Sequence, residues 1–271
     1  MGELKMLRSL YSGISGMKNF QTKLDVIGNN ISNVNTYGFK KGRTIFQDLY
    51  SQSITGASAP AGTMGGTNPS QVGLGSQLAS IDTIHTGGSL QTTGRNLDLA
   101  ISGDGFFQVA ETGKFGAPLY TRAGNFYLDN KGDIVTSEGL YLKSTGGGKI
   151  TIPTTAKSMS VGQDGNVSYV DSTGAIQTAG TIELAKFPNV GGLEKSGSNL
   201  YIATTNSGTA VVAAPGQSGI GLVQAGSLEM SNVDLSEEFT EMIVAQRGFQ
   251  SNTKIITTSD EILQELMNLK R

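Results

Sequence analysis

The chain of 271 residues contains no cysteine and no tryptophan, one histidine and six prolines. Without cysteine there is no disulfide, no thiolate nucleophile and no zinc–thiolate site. With a single histidine, His85, a His-rich metal centre is excluded. A Ser–His–Asp arrangement would have to use it, and Ile84-His85-Thr86 has none of the surroundings of an active-site element. His85 is therefore expected as a solvated loop residue. Charged residues make up only 15% and the net charge is −2, so no bulk attraction to nucleic acid or to an anionic membrane is implied. No apolar run approaches the roughly eighteen residues of a membrane span, so no membrane insertion is expected. The N-terminus lacks the basic, apolar, small-residue plan of a secretory signal. If the protein leaves the cell, the expected route leaves that end uncleaved.

Proline is also missing from residues 1–59 and 216–271, whereas 31 of the 38 glycines fall between Gly56 and Gly226. The two ends are compatible with long helices and the middle is not. In the N-terminal stretch, Leu7, Leu10, Ile14, Met17, Leu24, Ile27, Ile31 and Val34 fall at steps of three, four and seven. That spacing, close to about 3.5 residues, is the seam of a helix packed along another helix. The helix is expected from about Leu7 to about Asn33, roughly 40 Å at 1.5 Å per residue. Asn29, Asn30, Asn33 and Asn35 favour its end, with Gly38 as the stop.

A partner seam lies at the other end of the chain: Phe239, Met242, Gln246, Phe249, Thr253, Ile256, Leu263 and Leu266. Asp234 with Glu237 three residues on is a capping-box arrangement. Ile255-Ile256-Thr257-Thr258 is β-branched, so this helix is expected to be marginal until packed. Residues 1–50 carry seven Lys/Arg against three Asp/Glu, and residues 226–271 carry four against eight. Opposite signs favour the pairing, modestly and in a salt-dependent way.

Between the ends the period changes to two. Tyr127-Leu128 and Ile134-Val135 flank Asp129-Asn130-Lys131-Gly132; Val161 and Val167 flank Gln163-Asp164-Gly165-Asn166; Val170 and Ile176 flank Asp171-Ser172-Thr173-Gly174. Each is a hairpin signal. The expected fold is mixed α and β and multidomain. Residues 1–50 and 226–271 form a helical domain paired as a coiled coil, 51–88 an extended Ser/Gly/Ala/Thr-rich linker, with a short hairpin inside it or a long flexible loop as alternatives, and 89–225 an all-β barrel or sandwich.

No stretch presents a reaction or a cofactor site. Gly103-Asp104-Gly105 and Gly73-Leu74-Gly75 are turns rather than dinucleotide fingerprints. Asp129 to Asp133 lacks the closing glutamate of a calcium loop. Asp98 and Asp104 could be imagined as a glycosidase pair, although packing of acidic residues at turns is the simpler reading. What the sequence does present is apolar surface in excess. Tyr11, Phe20 and Val26 on one helix, and Ile243, Val244, Ile255 and Ile262 on the other, lie off the seams. They pack either on the β domain or on other copies of the chain; surfaces of this kind usually mark a partner.

Several motifs carry a resemblance. Asn29-Asn30-Ile31-Ser32-Asn33-Val34-Asn35-Thr36-Tyr37-Gly38-Phe39-Lys40 resembles the signature of the bacterial flagellar rod and hook proteins. Ser231-Asn232-Val233-Asp234-Leu235 and Ala245-Gln246-Arg247-Gly248-Phe249-Gln250-Ser251-Asn252-Thr253-Lys254 resemble that family's C-terminal signature. Gly103-Asp104-Gly105-Phe106-Phe107 and Tyr120-Thr121-Arg122-Ala123-Gly124-Asn125-Phe126 resemble its β domain. Met1 to Lys5 precede the usual start, and residues 51–88 match least. The resemblance implies a helical homopolymer whose termini line an export channel. It also implies passage through the flagellar type III export apparatus, addition under a hook cap, and rod and hook–filament junction proteins as neighbours. Gly248-Phe249-Gln250-Ser251-Asn252 is worded more like a hook than a rod protein. The reading put first is therefore a short hook subunit, a universal joint, with the distal rod as alternative. A secreted carbohydrate-binding or carbohydrate-cleaving β protein is the remote alternative.

Overall fold

The computed structural model describes residues 2–60 and 65–269, and within them all side chains except those of residues 2–7, Leu266 and Leu269. The expected seam positions Leu7 and Leu266 lie outside these described side chains. Two units share the chain: Met1–Ser32 with Gly42–Asp82 and Asp234–Arg271, and Asn33–Lys41 with Thr83–Val233.

The first unit contains helices α1 (Gly2–Ser32) and α2 (Leu235–Leu269). Asp234 caps α2: its Oδ1 accepts the N–H of Ser236 at 2.8 Å and of Glu237 at 3.4 Å. Glu237 and Glu238 then place negative charge in the first turn, where the helix dipole favours it. The helices run antiparallel against each other. Phe20 meets Gly248, Lys23 pairs with Glu241, and Asn30 donates to Glu238 Oε2 at 3.1 Å. Small residues set the approach. A Cβ at Gly16 would fall 2.9 Å from Asn252 Nδ2, and one at Gly248 would fall 2.6 Å from the Phe20 ring.

The shielded positions of α2 repeat at seven: Met242, Phe249, Ile256 and Leu263 in one register, and Ala245, Asn252 and Ser259 in the other. Five expected seam positions fall outside the shielded set: Phe239, Gln246 and Thr253 of α2, which are exposed, and Ile14 and Val34. Phe239 is 50% exposed, because its neighbour Glu238 takes the inward position and successive helical residues diverge by about 100°. Ile14 is likewise exposed beside the inward Gly13. Val34 lies beyond the end of α1, in a turn where Thr36 N–H donates to Asn33 O at 3.1 Å.

Within residues 51–88 the chain forms strands, including the hairpin alternative for this stretch. Gly42–Asp48 pairs with Ser76–Thr83, and Ser51–Thr55 pairs antiparallel with Ser70–Gly73. Side chains of the second pair are exposed on both faces, so no apolar alternation marks them in the sequence. The first pair is tied to α1. Asn30 brackets Gly42, accepting its N–H and donating to its C=O, both at 2.9 Å. Asn19 donates to Ser76 Oγ at 2.8 Å, and the Phe20 and Phe46 rings lie 6.5 Å apart.

The second unit is β-rich. All three expected hairpins are present, pairing Ile134 with Leu128, Val161 with Val167, and Val170 with Ile176. Each turn contains a glycine at positive φ: Gly132, Gly165 and Gly174. The largest sheet has nine strands but follows an open path, so the expected barrel does not close. The sheet forks at Phe106–Ala110. One edge of this strand pairs with Leu119–Thr121, while the other is divided between Leu184–Lys186 and Tyr141–Leu142. The same strand divides the core by its alternation. Phe107 and Val109 join the main cluster with Leu99, Phe126, Ile134 and Leu184. Phe106 turns to a smaller aromatic cluster with Tyr120, Phe187 and Tyr201, packed at tilted or edge-on angles.

Candidate assembly surface

The helix pair leaves part of its apolar surface uncovered. Tyr11 and Ile14 of α1, and Phe239, Ile243, Val244, Ile255, Ile262 and Met267 of α2, are exposed. Val244, Ile255 and Ile262 follow at steps of eleven and seven, which repeat on one side of a helix. Phe239 and Ile243 form a second stripe, one turn apart. Phe20, expected off the seam, is instead half-buried against Gly248 and Phe46. Two adjacent apolar stripes on one element are the kind of surface that marks a partner.

Within the β-rich unit lies an ionic cluster that sequence reading did not single out. Lys40 is fully buried. Its Nζ donates to Glu229 Oε1 at 2.5 Å and to Thr86 O at 2.8 Å. The other carboxylate oxygen of Glu229 takes Arg122 Nη1 at 3.1 Å, and Gly88 N–H donates to Oε1 at 2.9 Å. Arg122 also donates to Gly103 O at 2.8 Å. Burial lowers the pKa of Lys40 from the ordinary lysine value, with Glu229 opposing. Burial also pushes the Tyr201 hydroxyl up to about 12.

This cluster holds the segment Asn33–Lys41 in place. Gly38, at φ +69°, donates its N–H to Glu229 O at 2.8 Å, and a Cβ there would fall 2.6 Å from Ala123 N. Asn232 Oδ1 accepts the Lys41 N–H at 2.8 Å while its Nδ2 donates to Ile84 O at 2.8 Å. Asn199 donates to Tyr37 O at 3.1 Å, and the Lys195 ammonium sits 5.2 Å from the Phe39 ring centre. Gly38, Phe39 and Asn232 thus belong to one locked junction, whereas Gln246 and Arg247 are exposed on α2 and Asn29 is exposed on α1.

His85 is not the solvated loop residue expected. It is half-buried, with its ring 5.9 Å from Phe106 and 5.5 Å from Tyr201. Burial lowers its pKa to about 4, with Lys40, Lys195 and Arg122 adding to the effect. The imagined carboxylate pair is not one either. Asp98 is buried and accepts from Thr93 Oγ1 at 2.7 Å and from Arg95 at 3.2 Å, whereas Asp104 is exposed and pairs with Lys186 at 3.1 Å.

Family models match three parts of the chain: "Flagella basal body rod protein" at residues 10–40, "Flagellar hook protein FlgE/F/G D1 domain" at 100–169, and "Flagellar basal body rod FlgEFG protein C-terminal" at 224–269. The flagellar basal-body rod protein FlgG of Bacillus subtilis is 64% identical over 267 residues, covering 98% of this chain and 100% of the relative. The chain belongs to the bacterial flagellar rod and hook protein family. FlgG of Caulobacter vibrioides is 41% identical, covering 97% of this chain and 100% of the relative. The flagellar hook protein FlgE of Borreliella burgdorferi is 32% identical over 444 residues, covering 98% of this chain and 100% of the relative. A flagellar rod and hook family protein is a structural part of the flagellum, not an enzyme. The ionic cluster takes one residue from each matched part: Lys40, Arg122 and Glu229. Lys40 and Arg122 stand inside motifs visible in the sequence. Glu229 does not, and its neighbours Leu228 and Met230 conceal it.

Proposed function

We propose that the chain is a subunit of the distal flagellar rod, the drive shaft of the basal body, rather than of the hook. The observation that carries this reading is the 64% identity to a rod protein over 98% of this chain and 100% of the relative. The hook relative reaches only 32% and aligns over 444 residues, which requires long insertions relative to this chain. The short-hook reading rested on the wording of Gly248 to Asn252, a stretch that lies within the C-terminal model shared by both kinds of protein.

In this reading α1 and α2 pair as a coiled coil, and pairs from successive copies form a continuous inner tube. The exposed stripes at Val244, Ile255, Ile262 and at Phe239, Ile243 are buried against neighbouring copies. Burial of one such side chain contributes about 1.5–3 kcal/mol, repeated at every subunit. The paired strands at Gly42–Asp48 and Ser51–Thr55 supply contacts stiffer than a flexible linker would, as torque transmission without bending requires. The neighbouring rod and hook segments, the cap and the export apparatus are the partners this assignment expects.

Negative-stain microscopy of polymer grown from the purified protein tests the assignment. A rod subunit gives straight, hollow tubes. Curved tubes would return the assignment to the hook.

A further inference from the structure

A cavity beside His85 lies inside the β-rich unit and plays no part in the assembly described above. It holds about 70 Å³ and is lined by His85, Phe106, Arg122, Lys186 and Asp104, among others. An engineered cavity of about 150 Å³ holds benzene, so this volume suits a guest of a few heavy atoms at most. Its polar lining is not matched by the protein. His85 Nδ1, His85 Nε2 and Arg122 Nε are all buried, and none has a hydrogen-bond partner among the described residues. Arg122 is 5% exposed, and its Nη atoms are engaged with Ile101 O, Gly103 O and Glu229. The Nε–H remains as a buried donor, and a buried charged donor left unpaired costs several kcal/mol.

The charge balance points the same way. Among the described residues, Lys40 and Arg122 share the single carboxylate of Glu229, which leaves one positive charge in excess. Lys186 is already matched by Asp104 at 3.1 Å. We propose that this cavity is a binding site for a small monovalent inorganic anion of about the size of chloride. The anion accepts the Arg122 Nε–H and one ring N–H of His85, and it neutralises the excess charge. Asp104 and Lys186 line the same cavity as a matched pair, and Lys40, Lys195 and Arg122, all cationic, act on the ring. An anion against the ring opposes all three, so its binding raises the affinity of His85 for a proton.

His85 is the only histidine, so its imidazole NMR signals are unambiguous in the full-length protein. Sodium chloride is titrated against sodium gluconate at constant ionic strength. Expected are a saturable, chloride-specific shift of the His85 nitrogens, a rise of its pKa by about one unit or more, and a chloride-specific rise in melting temperature. His85→Phe, which adds no charge and keeps the ring contacts, is expected to melt cooperatively without that rise. Identical responses in chloride and gluconate, or a response that never saturates, would overturn the proposal, as would a chloride-specific rise retained in H85F. If H85F does not fold, the wild-type titration alone decides.

Discussion

Glu229 accepts a hydrogen bond from Lys40 at 2.5 Å across 189 residues of sequence, where neither side chain reaches solvent. The same carboxylate also answers Arg122 and Gly88 N–H. Removing an anion from such a site leaves two buried cations uncompensated, whereas removing Lys40 leaves a neutral pair. Glu229→Gln is therefore expected to destabilise the β-rich unit by about 3–5 kcal/mol, and Lys40→Met by distinctly less. Denaturant unfolding followed by tyrosine fluorescence measures both; equal losses would show that Glu229 serves Lys40 alone.

The depressed pKa of His85 makes stability depend on pH in a defined window. The unfolded histidine titrates near 6.5 and the folded one at about 4, so between these values the unfolded chain binds more protons. This contribution is fully present above pH 6.5 and is lost as pH falls toward 4, by on the order of 2–3 kcal/mol. Carboxylates also titrate near the acid end, so the difference between wild type and His85→Phe is the informative curve. Measured in gluconate buffers, the melting temperature of wild type should fall relative to that of His85→Phe as pH falls from 7 to 4. Parallel curves would contradict the buried, neutral histidine.

Two glycines in the helices should respond in opposite ways. A Cβ at Gly28 meets nothing within 4 Å, so Gly28→Ala should raise stability by up to about 1 kcal/mol through helix propensity. A Cβ at Gly248 falls 2.6 Å from the Phe20 ring, so Gly248→Val forces the helices apart, at about 1–3 kcal/mol. Circular dichroism melts of the two variants distinguish them; a stabilised G248V would mean that Phe20 does not occupy that gap.

Much of this unit was legible because long helices leave a strong period. The N-cap of the C-terminal helix at Asp234 and the positions Met242, Phe249, Ile256 and Leu263 follow from residue type and spacing alone. The other half of the contact does not, since Ala245, Gly248, Asn252 and Ser259 are small or polar and give no apolar signal. That gap put Phe239 on the wrong face. In the β-rich unit, the turns at Gly132, Gly165 and Gly174 were readable from residue type. The fork at Phe106–Ala110 was not, because pairing order is a tertiary property. The junction of Lys40, Arg122 and Glu229 stayed hidden for the same reason: its members are single charges whose partners lie far away in sequence. The burial of His85 leaves no mark in Ile84-His85-Thr86 at all.

The apolar stripes separate folding from assembly. Ile256 is half-buried and borders the Gly13 contact, so Ile256→Asp should weaken the helix pair itself. Ile243 and Val244 are exposed, so Ile243→Asp and Val244→Asp should leave the melting of the monomer within about 0.5 kcal/mol of wild type and abolish polymerisation. Sedimentation and electron microscopy of the three variants provide the comparison. Normal polymers from I243D and V244D together would remove these stripes from the assembly surface.

The assignment as a rod subunit is tested most directly in cells. In a strain deleted for this chain, electron cryotomography of the basal bodies should show truncated rods with no hook attached. Full-length rods lacking only the hook would contradict the rod assignment and make the chain a hook subunit.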